Sequence, residues 1–591
     1  ITSTEKGKIH TKYNYFLGAD ADQWKSDVGA YREVLYKDVY PGIDAKYYFT
    51  PEGNLKYDFV VAPKASPDKI AMQYIGVDGI SLKKGNLILP TSVREVMELA
   101  PFAYQNIDGS RVEVQCEYRL NGDLVIFEVG EYNSKYPLII DPELVFSTFS
   151  GSTANNFGFT ATYSEDGGLY AGGIVFNKGG AYPATRGAFQ INFSGPRVDI
   201  AISKFSSDGS ELDYATYLGG GEDELPYSLI ETKDRQLVIF GSTGSNDFPT
   251  RPNAHDRQFE GGIHQIDFFN NINKVSFPSG SDVFVCVLDS IGGGLPAATL
   301  YGGTYNDGFN NFDYNYGDPF RGEVVVDTLG NIYIVGSTNS TDLTVGANAY
   351  IRQAPDSVNG FIASFNSDLS TLRWASYLGG NKPDNALSAK LSPDFQSIYV
   401  TGGSLSDDLN FPNEAFQTDR LSDEDGYIAE LSTSDGSLKS GTYNGTHYRD
   451  VNFFVEVDYT GDVYVVGQTR GDYPITLDSN IYQNAGSSQY IHKFSADLTK
   501  SKSAMAFGDG GHSRSNISPT AFLVDFCGNI YISGWGGTTN TSGNTFGMPL
   551  TSDAFQATTD GSDFYIMVLD KNAENLLYGT YYGGNQFATG G

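Results

Sequence analysis

Val326-Asp-Thr-Leu-Gly-Asn-Ile-Tyr-Ile-Val-Gly-Ser-Thr338 decides the reading of this chain. Val-Val-Val-Asp at 324–327 reads as the end of one strand, and Asn331 to Gly336 as the start of the next. Thr-Leu-Gly-Asn between them is a tight reversal in which Gly330 can take the positive φ that the turn demands. The same hairpin recurs as Val457-Asp-Tyr-Thr-Gly-Asp-Val-Tyr-Val-Val-Gly467 and as Val524-Asp-Phe-Cys-Gly-Asn-Ile-Tyr-Ile-Ser-Gly534. A hairpin repeated along one chain predicts a repeat architecture before any other feature is weighed.

Working outward, a second marker travels with the hairpin. It is an aromatic strand closed by paired glycines: Tyr214-Ala-Thr-Tyr-Leu-Gly-Gly220, Ala298-Thr-Leu-Tyr-Gly-Gly303, Trp374-Ala-Ser-Tyr-Leu-Gly-Gly380 and Tyr578-Gly-Thr-Tyr-Tyr-Gly-Gly584. Weaker copies end at Gly445 and Gly510, and the second copy replaces the Gly-Asn turn by Asp234-Arg-Gln. The spacing of roughly 65 to 85 residues exceeds a WD-type blade. Each period holds four strand-like runs, which is the pattern of a β-propeller blade. The link between the second and third runs carries Asp247-Phe-Pro-Thr or Asn410-Phe-Pro, then Ala-Phe-Gln at 188–190, 415–417 and 554–556. It reads as a rim crossing with a tucked-in aromatic. Six complete sets precede the end of the chain, while Leu144–Gly151 is a fourth strand with no first three before it. The fold expected is all-β: a seven-bladed propeller over 144–591, its last blade incomplete in this chain and represented by the outer strand 144–151. Residues 1–143 lack the repeat and read as a smaller β-rich N-terminal domain, with Pro137 and Pro142 around an exit strand. That short, stiff link predicts docking of the domain on the ring.

The composition agrees. Gly is 69 of 591 residues, well above the usual ~7%, and 40 Tyr and 38 Phe accompany it. Glycine for turns and aromatics for pleated surfaces is an all-β signature. Against 71 acidic residues stand 39 basic ones, a formal charge of -32. Such a surface repels phosphate backbones and anionic bilayers, so no nucleic acid partner is expected. No run of 18 apolar residues occurs, so no transmembrane helix is expected. Cys116, Cys286 and Cys527 lie far apart with no zinc spacing; Cys286 and Cys527 read as small core residues inside apolar strand runs. The chain begins Ile-Thr-Ser-Thr, which suits part of a mature exported protein whose true ends lie outside it.

The repeat, read as Asp-x-x-Gly-Asn-Ile-Tyr-Ile-x-Gly, Asp-Phe-Pro-Thr, Ala-Phe-Gln and Tyr-Leu-Gly-Gly in order, resembles the SBBP family of bacterial β-propeller repeats. Tyr40-Pro-Gly-Ile-Asp-Ala-Lys-Tyr-Tyr48, Tyr57-Asp-Phe-Val-Val-Ala-Pro63 and Pro137-Leu-Ile-Ile-Asp-Pro142 look like the domain of unknown function that often precedes those repeats. The resemblance implies a secreted or surface-attached, outer-membrane-associated protein of a Gram-negative gliding bacterium, exported by type IX secretion. It supplies no catalytic residues.

Three groups of residues could carry chemistry. Asp223, Asp307, Asp384 and Asp450 follow the glycine pairs; they either ring the channel and hold a cation, or accept backbone N–H bonds and fix the loop into the next blade. Asp423 and Asp425, in the acidic run 419–425, are the candidate metal ligands, with calcium the ion such oxygen-rich loops favour, against a solvated loop as the alternative. Phe268, Phe269 and Phe277 stand on an insertion in the second period that is either a contact loop for protein or glycan, or a cover over its own blade. The six histidines show no ligand grouping, and no nucleophile elbow or phosphate loop occurs. The function expected is non-enzymatic: a propeller offering loops to proteins or surface glycans in adhesion, gliding motility or secretion. The alternatives are a cargo or accessory subunit of an outer-membrane secretion complex, and a secreted propeller enzyme acting on glycans.

Overall fold

The computed structural model describes residues 2–15, 25–49, 55–74, 79–83, 86–90, 95–98, 101–107, 110–122, 124–141, 152–177, 180–207, 211–268, 274–310, 315, 318–354, 358–412, 414–475, 481–511, 515–537, 543–571 and 573–584. The chain divides into two compact units, 1–147 and 148–591.

In the first unit seven strands form one sheet in the order Thr2–Tyr15, Lys25–Tyr40, Ile43–Phe49, Leu55–Val61, Leu138–Asp141, Phe102–Ile107 and Ser110–Val114. The run between Pro137 and Pro142, expected as an exit strand, is an interior strand: Leu138–Ile140 pairs with Phe59–Val61 on one side and Ile139–Asp141 with Phe102–Tyr104 on the other. Ile43, Phe59, Val61, Val125, Phe127, Leu138 and Ile140 share the core of this unit.

The second unit contains six four-stranded antiparallel sheets in which the strands lie in chain order. Blade 1 is Asn156–Tyr163, Leu169–Phe176, Val198–Phe205 and Leu212–Leu218. Blade 2 is Glu224–Glu231, Leu237–Thr243, Asp282–Leu288 and Ala297–Tyr301, and blade 3 is Glu323–Val326, Ile332–Thr338, Asn359–Phe365 and Leu372–Leu378. Blade 4 is Ser388–Leu391, Ser397–Ser404, Asp425–Ser432 and Leu438–Asn444. Blade 5 is Asp450–Val457, Val463–Thr469, Gln489–Phe494 and Ser501–Phe507, and blade 6 is Ser518–Val524, Ile530–Trp535, Phe564–Leu569 and Leu576–Tyr582. The first strands of successive blades pack against one another from blade 1 to blade 6. The run 144–151 lies outside the described residues.

The repeat consensus is a set of turn and latch instructions. Asp327 accepts the N–H groups of Leu329 and Asn331 and the Tyr333 hydroxyl, which closes the first hairpin of blade 3. Asp458 and Asp525 do the same for Tyr464 and Tyr531. Gly330, Gly461 and Gly528 take φ of 82°, 89° and 86° at the tip, and the turn survives without glycine in blades 2 and 4, where Arg235 and Phe395 adopt 58° and 59°. In the Ala-Phe-Gln motif the glutamine does the latching. The Gln190, Gln417 and Gln556 side chains accept the N–H of Gly219, Gly445 and Gly583, and their backbone carbonyls accept the N–H of Tyr217, Tyr443 and Tyr581. The residue before Gln190 and Gln417 reaches the neighbouring blade: Phe189 N–H donates to Gly292 O, and Phe416 N–H to Leu498 O, whereas Phe555 N–H donates to the Tyr578 hydroxyl of its own blade.

Between blades the packing is complementary in a way that no single repeat shows. The residue that follows the bulge in strand four faces the left-handed residue in the strand three to four turn of the next blade. Tyr214 lies on Gly292, where a Cβ would come within 2.4 Å of the ring, and Trp374 lies on Gly436 at the same 2.4 Å. At the equivalent positions where the strand residue is small, the turn residue is large: Ala297 in blade 2 with Leu369 in blade 3, and Ser440 in blade 4 with Leu498 in blade 5, both leucines fully buried at φ of 56° and 58°. A large residue on one blade is thus matched by a small one on the next, the exchange that close packing of an interior requires.

Candidate functional site

The glycine pairs and the acidic residues after them form one device. Asp307 accepts hydrogen bonds from the hydroxyls of Thr338 and Ser340, the latter at 3.0 Å, and from Gly303 N–H at 2.8 Å. Asp384 repeats this with Ser404, with Ser406 at 2.7 Å and with Gly380 N–H at 2.6 Å. Asp450 accepts the N–H and hydroxyl of Thr446 at 2.6 and 2.8 Å. The first glycine of each pair is required because the carboxylates come against it. A Cβ on Gly302 would sit 2.7 Å from Asp282 and 2.9 Å from Asp307, and one on Gly379 2.8 Å from Asp384. Burial pushes Asp307 up to about 7, Asp384 to about 6 and Asp450 to about 7, and for each the hydroxyl and amide donors pull back. Asp282 is pushed further, to about 8, by burial and then by the charge of Asp307.

Asp223 differs from the other three. Its neighbour Glu224 takes the equivalent place, accepting from Thr243 at 2.8 Å and from Ser245. Asp223 instead accepts Val198 N–H at 3.1 Å and Ser276 N–H at 2.7 Å, tying blade 1 to the insertion of blade 2. All four aspartates are buried at 0–1% exposure and committed to loop geometry rather than presented to a channel.

Other side chains occupy the middle of the ring. The connection from blade 2 to blade 3 sends Phe309, Asn310, Asn315, Asp318, Phe320 and Arg321 between the first strands. Phe320 lies 6.4 Å from Phe159 of blade 1 and 5.7 Å from Phe309, which packs at 4.9 Å on Phe277 of blade 2. Asn310 accepts from Asn385 ahead of blade 4 at 3.4 Å. Asn315 exchanges side-chain hydrogen bonds with Gln468 of blade 5 at 3.0 and 3.3 Å. Arg321 pairs with Asp318 at 2.8 Å, donates to Ser518 and to Pro519 O of blade 6 at 3.3 and 3.2 Å, and covers the Phe453 ring of blade 5 at 4.7 Å. One connection therefore touches blades 1, 2, 4, 5 and 6 and fills the place where a propeller would otherwise have an open channel.

Of the aromatic contact loop, Phe277 is fully buried against Phe309 and Gly244, so it belongs to the core and not to an exposed surface. The insertion forms a hairpin, Gln265–Phe268 with Lys274–Phe277, whose second strand turns inward. Phe268 lies in the first strand of that hairpin, and Phe269 lies outside the described residues. Of the metal candidates, Asp423 is exposed and Asp425 is buried, accepting Leu421 N–H at 2.8 Å, the Ser422 hydroxyl at 2.7 Å and the Gln417 amide at 3.0 Å. Among the described residues no three His, Cys, Asp or Glu side chains gather as a metal group. Cys286 is a core residue as expected, whereas Cys527 is exposed because it occupies the hairpin turn Asp525–Gly528 and not a strand.

Two faces in the ring are uncovered. On blade 6 the outward side of the sheet presents Leu523 (47% exposed) and Phe564 (45%), with Tyr531, Trp535 and Ile566 partly exposed on the same face. On blade 1 the first strand alternates between exposed and partly buried side chains, ending in Tyr163 at 77%. The corresponding first strand of blade 2 is buried along most of its length.

Comparison with known proteins agrees with this architecture. Residues 1–143 match the family model of a domain of unknown function, DUF7948, and residues 323–344 match the SBBP beta-propeller repeat. No curated protein matches the chain. Similar solved structures include the hydrazine synthase of Kuenenia stuttgartiensis, at 9% identity over 72% of this chain and 79% of that one with a TM-score of 0.34. A quinohemoprotein alcohol dehydrogenase from Pseudomonas putida HK5 is similar at 8% identity over 71% of this chain and 72% of that one, with a TM-score of 0.31. At such identities these likenesses carry no chemistry across. The matched repeat is the third of the six four-stranded sheets, so the chain is similar to a DUF7948 domain over residues 1–143 and to an SBBP beta-propeller repeat in blade 3.

Proposed function

We propose that this chain is the ring-bearing part of a non-enzymatic exported cell-surface protein, and that its propeller is a rigid platform for protein or glycan contacts in adhesion, gliding motility or type IX secretion. The observation that supports this is the filled centre. Arg321, Asp318 and Asn315 spend the polar capacity of the channel on the ring itself, and the buried aspartates near the first strands are spent on loops. Binding is then left to the rim and to the outer faces. The reading is tested by shaving intact cells of the source bacterium with protease. Loss of the chain from unbroken cells supports a surface location, and a protected chain in the soluble cell fraction refutes it. Release of sugar from surface glycans by the purified protein would refute the non-enzymatic part.

The same reading gives the ring seven blades. The uncovered faces of blades 6 and 1 are two halves of a blade-to-blade interface, and a further blade with 144–151 as its outer strand would cover both. Oxidative footprinting of natively purified protein tests this. Protection of Trp535 and Phe564 there, with reaction in a chain of residues 1–591, supports seven blades; reaction in both refutes it.

A further inference from the structure

The blade-to-blade complementarity breaks down once. At the contact between blades 5 and 6 the strand-four position is Ser503 and the left-handed turn position is Ala573, at φ 55°. Both partners are small. At the other four contacts one of the two is Tyr, Trp or Leu. The turn itself is formed as elsewhere, with Ala573 N–H on Asp570 O at 2.8 Å and Tyr482 N–H on Ala573 O at 2.6 Å. Here a pocket of about 350 Å³ opens, lined by Ser503 and Ala573 together with Ile481, Ile491, Met505 and Ile530. Its size lies within the range of small-molecule sites, and it opens at the position that an aromatic side chain fills in blades 1 and 3.

The rim is cationic in a chain whose formal charge is -32. Lys493, Lys502 and Lys571 line the pocket with Asp462 and Tyr464. Lys493 bridges Asp458 at 3.2 Å and Asp462 at 3.1 Å, and Lys502 pairs with Asp462. Lys571 has no ion pair among the described residues. Three ammonium groups against two carboxylates leave one positive charge over an apolar floor.

We propose that this pocket binds a planar aromatic monoanion of the aryl carboxylate class. Its ring takes the place that Tyr214 and Trp374 fill between other blades, and its carboxylate meets Lys571 and Lys502. An aromatic ring fits because this position accepts a phenol or an indole elsewhere in the same molecule. A single negative charge fits because one cation is in surplus. The site is independent of the surface-platform reading, and its failure would leave that reading standing.

The test is calorimetric titration of the full chain with indole-3-carboxylate, and with neutral indole for comparison. Saturable one-to-one binding is expected, at least tenfold tighter for the anion. Ser503→Trp copies the blade 3 solution and Ala573→Leu copies that of blades 3 and 5; each should lower affinity more than tenfold while raising the thermal midpoint. Lys571→Glu should lose about tenfold. Absence of saturable binding, equal affinity for indole, or binding unchanged by both filling variants would overturn the proposal.

Discussion

Exchange of the interlock between blades 3 and 4 gives the sharpest test of the packing. Trp374 is buried over Gly436, 6.0 Å from the Tyr333 ring, and its indole N–H donates to Thr433 O at 2.9 Å. Trp374→Ser removes that ring and leaves an unfilled void, which costs about 4 kcal/mol by comparison with aromatic truncations in other cores. Gly436→Leu drives a Cβ to within 2.4 Å of the ring. Overpacking and a side chain in the left-handed region together cost about 3 kcal/mol. The double variant reproduces the Ser440 and Leu498 pair that blades 4 and 5 already use. Leucine then fills the space that the indole left, and the pair should cost no more than about 3 kcal/mol, a coupling of at least about 4 kcal/mol in the stabilising direction. Equilibrium urea unfolding followed by far-UV circular dichroism measures all four corners, with midpoints compared at equal slope. If the double variant loses as much as the two singles together, the complementarity is coincidence. The assignment of the blade 5 to blade 6 pocket would then lose its basis as well.

Three further outcomes are expected. Arg321→Met leaves the Asp318 carboxylate, 1% exposed, without its guanidinium; it should cost about 3 to 5 kcal/mol, and Asp318→Asn with Arg321→Met should recover part of that, read by urea unfolding. Asp282, Asp307, Asp450 and Glu323 all have folded pKa values raised to about 7 or 8, chiefly by burial. A raised carboxyl favours the folded state below its unfolded pKa and loses that advantage as pH rises from there through the folded value, so the calorimetric midpoint should fall between about pH 4 and about pH 8 and level off above. Asp166, lowered to about 2 by its hydrogen bonds to Ser164 and Lys204 against the opposing effect of burial, acts oppositely and only at acid pH. A thiol reagent should modify exposed Cys527 first, Cys116 slowly because burial pushes its thiol up to about 12, and buried Cys286 only on unfolding, as mass spectrometry of timed aliquots would show.

What the sequence made legible is whatever repeats. Four strands per period, the Gly330 hairpin and the glycine pair follow from local rules, because each turn is closed by residues within six positions of one another, as Asp327 and Tyr333 are. Features that occur once, or that span two repeats, stayed hidden. Asp223 and Glu224 are adjacent in sequence, and only the partners Thr243 and Ser245 tell which of them takes the aspartate role. The pairing of Trp374 with Gly436 joins residues that no local pattern links. The connection to blade 3 did carry a signal, since the Phe-, Tyr- and Asn-rich stretch from Thr304 to Gly322 is far longer than the three residues between Gly220 and Glu224. Its length marked an insertion, but the hydrogen bonds that give it a role come from residues up to 198 positions away.

That filled centre also bears on how the ring is made. Repeat arrays ordinarily gain stability stepwise, each unit needing only its neighbour. Here Asn310, Asn315 and Arg321 emerge during synthesis ahead of blade 3, yet their partners Asn385, Gln468, and Phe453, Ser518 and Pro519 follow over the next two hundred residues or so. Closing such loops is slow, and it ties the completion of blade 3 to the arrival of blade 6. The ring should therefore mature in one late step, and a ribosome-stalled chain ending before residue 518 should remain protease-sensitive around Phe320 although its first four blades are already formed.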